Sequence, residues 1–517
     1  MDGIKILWAD DEIDLLRAHV MFLEQKGFIV TTTTNGIDAI DYVKNEPFDI
    51  IFLDENMPGL TGIETLDKIK RFNSAIPVVM ITKSEAEDIM EDAIGSNISD
   101  YLIKPVNPNQ ILLIIKKNVD NKRIVTEKTT QAYQTAFGSL GMEINDSLDF
   151  NDWKAVYKKL IFWELKLKNS DEKTMDDVLN MQKKEANNSF AKFIKRNYIS
   201  WFHENSNERP VMSHTLFKER IFPFLEKDEK VFVMLFDNLR YDQWKTLLPY
   251  FNEYYNIDED DITCSILPTA TQYSRNAMFA GLMPSEIDKL YPDIWLNDEE
   301  EGNKNEHEKD LLLKQLKRYG LDKSVYYDKI FNNKQGLKLL DNIKQVLTYD
   351  FITVVFNFID IMSHARTEMR MIRELAEDEA AYRSITKSWF EHSSILELLK
   401  KLQEEKVKII ITTDHGTVRV LNPIKVIGDK NTTTNLRYKH GKSLSYKQKE
   451  VFDIQKPEQA YLPKSNMTSR YIFSLNDDFF AYPNNFNYYV KYYKNTFQHG
   501  GVSLEEMMLP FVVLSPK

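Results

Sequence analysis

The sequence predicts an α/β protein in three parts: a doubly wound parallel-sheet domain over residues 1–120, a helical middle segment over 121–207, and a second α/β domain over 208–517. Three observations carry that expectation. Short apolar runs alternate with amphipathic stretches in the first and last parts, the pattern of strands joined through helices. Between them, apolar residues recur every three or four positions, the period of a helix. Several strand-like runs end on aspartate, at the sheet edge where open α/β sheets hold ligands. A chain of 517 residues is also too long for one ordinary core.

In the first part, Ile4–Ala9 reads as a strand and Leu15–Gln25 as a helix. Phe48–Leu53, Ile76–Ile81 and Ser99–Ile103 read as three further strands. Asp10 and Asp11 follow the first strand, Asp54 ends the next, Thr82 follows the third, and Lys104-Pro105 follows the last. Three carboxylates on one rim repel each other and need a hard cation. Lys104 adds a fixed positive charge and Thr82 a hydroxyl, so the rim suits an acyl phosphate held on a carboxylate.

Asp54-Glu55-Asn56-Met57-Pro58-Gly59-Leu60-Thr61-Gly62, with Lys104-Pro105, resembles the acceptor loop and lysine–proline pair of the response-regulator receiver family. The resemblance covers about 120 residues of the chain. It implies that Asp54 is the phosphoacceptor and that Asp10, Asp11, Asp54 and the Asn56 carbonyl hold Mg²⁺. It also implies that Thr82 senses the phosphoryl group and that Tyr101 is the aromatic that turns inward. Lys83 stands where receivers usually carry a small residue, which bears on the dephosphorylation rate.

In the middle part, Trp153, Val156, Tyr157, Leu160, Ile161, Trp163 and Leu167 recur at helical spacing. A second helical run spans Asp176–Phe202. A rigid signal-carrying bundle and a plain spacer fit this pattern equally well.

In the third part, Lys230–Phe236 reads as a buried strand ending at Asp237, and Phe351–Ile359 as one ending at Asp360. Val407–Thr413 reads as a third, ending at Asp414-His415-Gly416. A parallel sheet would bring these aspartates to one rim. His364 follows Asp360 at helical spacing, and His499 lies in a loop before Gly500-Gly501. Mixed Asp and His ligands suit zinc or manganese better than magnesium alone. Ile262–Leu267 reads as a strand leading to Thr271 at the start of a helix. There a threonine reads either as an N-cap or as a nucleophile favoured by the helix dipole.

The order Asp237, Pro268-Thr269-Ala270-Thr271, Asp360-x-x-x-His364, Asp414-His415-Gly416, His499 resembles the alkaline-phosphatase superfamily, and within it the PglZ branch. The resemblance covers about 300 residues. It implies an α/β alkaline-phosphatase-like domain holding two Zn²⁺. Asp360, His364 and His499 would take one ion and Asp237, Asp414 and His415 the other, with Thr271 as a nucleophile facing both. A threonine stands where several relatives use serine or a modified cysteine.

Arg240, Lys439 and His440 are candidate substrate-binding residues, with Lys442 beside them; an Arg240–Asp242 ion pair is the competing reading. Tyr438–Ser443 lacks the preceding glycine that a P-loop requires. Asp298–Glu301 reads as a solvated acidic loop.

Composition narrows the function. Lys and Arg number 67 against 78 Asp and Glu, a net charge of −11 that argues against a duplex-DNA binder. The one cysteine, Cys264, excludes an internal disulfide and a cysteine-rich zinc site. No apolar run approaches the roughly 20 residues of a membrane span. Nor does the N-terminal stretch read as a signal peptide, so a cytoplasmic location without a membrane partner is expected.

The order of the three parts resembles PorX-type response regulators, which are associated with type IX secretion and gliding. That resemblance implies a phosphodiesterase acting on small linear or cyclic oligonucleotides, switched by a sensor histidine kinase, with a sigma factor as partner. Phosphorylation at Asp54 is expected to produce a two-fold homodimer. The alternative is a signalling scaffold whose phosphatase-like domain binds protein partners. Such a scaffold would show a damaged ligand set, whereas every ligand is present here. A DNA-binding regulator would need a basic C-terminal helix, but Ser503–Leu514 reads as a returning loop and strand.

Overall fold

The computed structural model describes residues 3–73, 76–83, 98–167, 173–203, 208–369, 378–428, 432–464 and 468–517. The chain divides into two compact units. Residues 1–135 with 167–172 form the first, and residues 136–166 with 173–517 the second.

The first unit holds a five-stranded parallel sheet in the order Ile29–Thr33, Lys5–Ala9, Ile50–Asp54, Val78–Thr82, Asp100–Ile103. Alternate residues point to opposite faces. Ile6, Trp8, Phe52 and Ile81 therefore fill one core and Leu7, Ile51, Leu53 and Met80 the other. The sequence reading lacked the strand Ile29–Thr33. It is an edge strand, Thr-rich and largely open, without the continuous apolar run of its neighbours. Because the strand order reverses beside Lys5–Ala9, a crevice opens at the carboxyl ends of Lys5–Ala9 and Ile50–Asp54. Those ends carry Asp10 and Asp54. Gly62, which opens the next helix, is required by packing: a Cβ there would lie 2.4 Å from the Asp54 carbonyl oxygen.

The second unit is built on a six-stranded sheet in the order Tyr255–Cys264, Met508–Pro516, Lys408–Thr412, Val231–Phe236, Phe351–Phe356, Val325–Ile330. The last four are parallel to one another. Met508–Pro516 runs antiparallel to both its neighbours, so the sheet is mixed rather than wholly parallel. The central strands are buried along their length and read as unbroken apolar runs for that reason.

Three boundaries differ from the sequence reading. Phe351–Phe356 stops before Asn357, and Phe358 and Ile359 open the helix Phe358–Glu368; Asp360 therefore sits in a helical first turn. The strand before Thr271 ends at Cys264. Ser503 caps a short helix, Leu504–Met507, ahead of the last strand.

The helices Phe150–Leu167 and Lys173–Asn197 pack into this second unit. Trp153 meets the Phe190 ring edge-on at 5.3 Å. Lys154 pairs with Asp261 at 2.9 Å, and Lys158 donates to the Asp260 carbonyl at 2.6 Å, both on the edge strand. Deeper in, Glu164 accepts from Lys183 at 2.7 Å and from Arg383 at 2.5 Å, and Arg383 reaches Asp242 at 2.8 Å. Burial opposes ionisation of Glu164, but Lys183 and Arg383 outweigh it and hold the carboxyl down at about 2. Its contribution to stability is present above the ordinary carboxylate range and is lost as pH falls towards that value.

Glu164→Ala takes the closest carboxylate from Lys183 and leaves Arg383 with Asp242 alone, and is expected to cost about 3 kcal/mol in urea unfolding. The double variant Glu164→Leu, Lys183→Met should recover part of that loss; equal stability of Glu164→Ala and the parent chain would contradict the network's role.

Candidate active site

Each unit gathers one cluster of acidic ligands at the carboxyl ends of its strands. In the first unit, oxygens of Asp10, Asp11 and Asp54 lie within 4.8 Å of one another. Lys104 Nζ reaches Asp54 Oδ1 at 2.6 Å and Asp10 Oδ2 at 2.9 Å. Burial raises the Asp54 carboxyl above its ordinary range against the pull of Lys104. Burial lowers the Lys104 ammonium, but its bonds to Asp54 and Asp10 raise it further. The Asn56 amide donates to Asp54 Oδ2 at 3.2 Å. Thr82, at the end of its strand, donates its hydroxyl to Glu55. Tyr101 is 42% exposed, its ring outside the cluster. An all-oxygen set with one fixed ammonium fits a hard divalent cation such as Mg²⁺.

In the second unit, Asp237 follows its strand directly, Asp414 and His415 follow Thr413, and His499 follows the short strand Phe497–Gln498. Donor atoms of Asp237, Asp414 and His415 lie within 4.8 Å of one another, as do those of Asp360, His415 and His499. His415 thus stands between two ligand groups, its ring stacked on His499 at 4.1 Å. His364 Nε2 lies 3.5 Å from Asp360 Oδ2, and its ring centre 5.9 Å from that of His499. With its side chain 59% exposed, His364 marks the open edge of the cluster.

The donor set fits divalent cations. Asp237 Oδ1 and Asp414 Oδ2 are buried without a hydrogen-bond partner. Burial and then the Asp237 charge hold the Asp414 carboxyl well above the carboxylate range and push Asp360 up to about 6. Burial lowers His415, and burial with the neighbouring imidazoles holds His499 well below the usual histidine range. Neutral imidazoles beside crowded carboxylates are the state a dication binds. His499 Nδ1 faces the Thr269 carbonyl at 3.1 Å and His415 Nδ1 the Gly416 carbonyl at 3.1 Å, which fixes the tautomers and leaves both Nε2 atoms as acceptors.

Thr271 is the first residue of the helix Thr271–Ala280; Ala270 is the N-cap and makes no side-chain cap. The threonine hydroxyl is therefore free of capping and lies 2.9 Å from His415 Nε2. Around it, the helix terminus offers free amides and a positive dipole end.

The sequence reading missed residues that hold this cluster. Arg275, one helical turn beyond Thr271, donates Nη1 to Asp237 Oδ2 at 2.6 Å and Nε to Glu308 Oε1 at 2.8 Å, and lies 3.8 Å from Asp414. The i,i+4 spacing from Thr271 was the available signal. Glu506 accepts from Arg437 Nη2 at 2.5 Å and from the Gly501 amide at 2.9 Å, while its carbonyl accepts from the Gly416 amide at 3.1 Å. It thereby ties the residues following His415 to those following His499. Asn187, on the helix Lys173–Asn197, accepts from the Leu504 amide at 2.8 Å and donates to Glu505 at 3.1 Å.

Three candidate substrate contacts are corrected. Arg240 is 1% exposed. Its Nε and Nη2 bond Asp242 at 2.8 and 2.5 Å and its Nη1 lies 2.5 Å from Glu379 Oε2. It is spent on a structural ion pair. Lys439 is buried, donates to the Thr433 carbonyl at 2.7 Å, and is lowered by burial to about 7, so its amine is engaged inside the fold rather than held out to an anion. His440 is buried and stacks on Tyr471 at 4.3 Å. Asp298 is not a freely solvated acid, since it accepts from Tyr273 at 2.8 Å and Tyr438 at 3.1 Å.

Comparison with known proteins agrees with this geometry. Residues 216–514 match the family model of the BREX system PglZ alkaline phosphatase-like domain. The chain belongs to the PglZ alkaline phosphatase-like family. Ahead of the PglZ domain, residues 6–116 match the response regulator receiver domain and 123–202 the PorX response regulator linker domain, so the whole has the PorX-type architecture. Curated relatives include the transcriptional regulatory protein ZraR of Klebsiella oxytoca, 32% identical over 27% of this chain and 32% of that protein. Another is the CpxR homolog of Haemophilus influenzae, 38% identical over 22% of this chain and 48% of that protein. The match thus spans about a third to a half of these relatives' length. Among solved structures, a CheY-like receiver domain protein from Methanospirillum hungatei JF-1 is 25% identical, with TM-score 0.23, over 23% of this chain and 96% of that one. Receiver and alkaline phosphatase-like domains generally use divalent metals, and receivers are phosphorylated by histidine kinases.

Gly416 has no room for a side chain: a Cβ would fall 2.0 Å from the Glu505 carbonyl oxygen. Gly416→Ala is expected to displace His415 and lower bound metal, read by elemental mass spectrometry on protein with unchanged circular dichroism. Full metal content in that variant would contradict the positioning.

Proposed function

We propose that the PglZ domain is a zinc-dependent phosphodiesterase controlled by phosphorylation of the receiver at Asp54. The observation that carries the reading is the Thr271 hydroxyl, uncapped at a helix N-terminus and bonded to an imidazole shared by two ligand groups. Asp237, Asp414 and His415 would hold one zinc, and Asp360, His364 and His499 the other. Two bound zinc ions supply Lewis-acid stabilisation and lower the pKa of a nearby hydroxyl.

Thr271 Oγ1 attacks phosphorus in line with the departing ester oxygen. The Oγ1–P bond forms as the P–O ester bond breaks, and the hydroxyl proton passes to solvent, from which the leaving oxygen collects one. Water then cleaves the Oγ1–P bond of the threonine-linked phosphodiester, releasing the remaining phosphomonoester and restoring the hydroxyl. Free amides at the start of Thr271–Ala280 favour the phosphate throughout. Arg275 keeps Asp237 and Asp414 in place during both steps.

In the receiver, Asp10, Asp11, Asp54 and Asn56 would hold Mg²⁺, with Lys104 balancing the phosphorylated Asp54. A sensor histidine kinase supplies the phosphoryl group, and Thr82 and Tyr101 respond to it. The PorX-type architecture supports small linear or cyclic oligonucleotides as substrate, a role in regulating type IX secretion, a sigma factor as partner and a cytoplasmic location. No helix among the described residues is long and apolar enough to cross a membrane. The complete donor set favours catalysis over a pure scaffold.

Thr271→Ala should lower hydrolysis of a chromogenic phosphodiester by roughly a thousandfold or more while retaining bound zinc. Retained turnover in the pure variant would remove Thr271 as nucleophile. Beryllofluoride with Mg²⁺ is expected to double the sedimenting mass of the parent chain and to leave Asp54→Asn monomeric; an unchanged mass in both would end the dimer reading.

A further inference from the structure

The helix Phe486–Tyr493 lies shortly before His499 in the chain, and its two faces differ in an unusual way. Phe486, Val490 and Tyr493 pack inward on Val418, Val420, Phe479 and Ala481, which accounts for one apolar stripe. The opposite face of a surface helix is ordinarily charged, yet here it carries Tyr488, 66% exposed, while Tyr489, 39% exposed, stands on the flank of the buried stripe. The four tyrosines form two near-parallel pairs, Tyr488 with Tyr492 at 15° and Tyr489 with Tyr493 at 13°. Lys491 and Lys494 are exposed between and beside them, with no ion pair among the described residues.

This helix is tied to the metal-ligand cluster. The chain from Tyr493 to His499 can span no more than about 20 Å. Arg366, on the helix that carries Asp360 and His364, donates to the Asn495 carbonyl and lies over the Phe497 ring at 4.5 Å. Between cluster and helix runs the short ladder Val418–Arg419 with Phe497–Gln498. In that ladder the buried Arg419 Nε has no hydrogen-bond partner. Planar rings on the surface, unpaired cations beside them and a phosphoester site close by match one ligand chemistry: a single strand with planar bases on a phosphate backbone.

We propose that the outer face of Phe486–Tyr493 is a stacking platform for bases of an oligonucleotide substrate, with Tyr488 and Tyr489 receiving the rings and Lys491 and Lys494 the backbone. The proposal rests on the phosphodiesterase reading and adds the site that would select oligonucleotides over smaller esters. Stacking should be tolerant of sequence, because every base presents a π face.

The test is equilibrium binding of a fluorescent oligothymidylate, and of an abasic strand of equal length, to the full chain carrying Thr271→Ala. The platform predicts that Tyr488→Ala, Tyr489→Ala weakens oligothymidylate binding about tenfold, to the level of the abasic strand. Tyr488→Phe, Tyr489→Phe, which keeps the rings, should bind as tightly as the unsubstituted tyrosines. Equal affinity of the alanine variant for both strands, at the tight level seen with tyrosine, would overturn the platform and leave the phosphodiesterase reading standing. No binding of either strand by the Thr271→Ala chain, with hydrolysis of a chromogenic phosphodiester intact in the parent, would overturn the oligonucleotide assignment. Loss of that hydrolysis as well would overturn the enzymatic reading itself.

Discussion

The second unit depends on crowding Asp237, Asp360 and Asp414 into a space where water cannot separate them. At the spacing of the ligand atoms, two carboxylates repel by about 3–4 kcal/mol even in a polarisable interior. A neutral hydrogen bond contributes only about 1 kcal/mol, so hydrogen bonding alone cannot hold such a cluster. Protonation, towards which burial pushes Asp414 and Asp360, or positive charge has to relieve the repulsion. Arg275 supplies one permanent charge from behind, shared between Asp237, Asp414 and Glu308. Asp237 Oδ1 and Asp414 Oδ2 still lack a hydrogen bond, the latter 3.8 Å from Arg275 Nη1, and divalent ions would satisfy that remaining deficit.

Seen from this constraint, much of the surrounding architecture serves to fix positions. The strands deliver the aspartates, but the imidazoles come from loops, which need a separate restraint. Glu506 provides it by gripping Arg437, the Gly501 amide and Ser503 while its carbonyl holds the Gly416 amide. Asn187 and Lys183 brace the adjoining Glu505 from a middle-segment helix. Residues 136–166 and 173–207 of the middle segment are therefore part of the second unit's structure, since removing Lys173–Asn197 would expose Glu505 and free the loop behind His499.

The sequence made the chemistry more legible than its support. Asp237, Asp360, Asp414, His364, His415 and His499 stand out because catalytic ligands sit at strand ends and turns, where spacing and residue type are informative. Arg275, Glu506 and Asn187 do not, because a buried polar partner is recognisable only from what it touches. The same logic explains Arg240, whose place after Asp237 suggests substrate and whose burial beside Asp242 shows an ion pair. Ile29–Thr33 was missed because edge strands lack the apolar run that betrays central ones. Asp360 was placed at a strand end because Phe358 and Ile359 extend the apolar run, although Asn357 has already turned the chain into a helix.

The two acidic clusters answer one problem in opposite ways. Lys104 lies directly on Asp54, at 2.6 Å, where its charge would meet a phosphoryl group added to that carboxylate. Arg275 lies behind the ligands, 4% exposed and bound to Glu308, where it cannot follow a substrate. A counter-charge in direct contact suits a carboxylate that would itself carry the phosphoryl group. A fixed one suits a site that must return to the same geometry after every turnover. The difference follows from side-chain reach and burial alone.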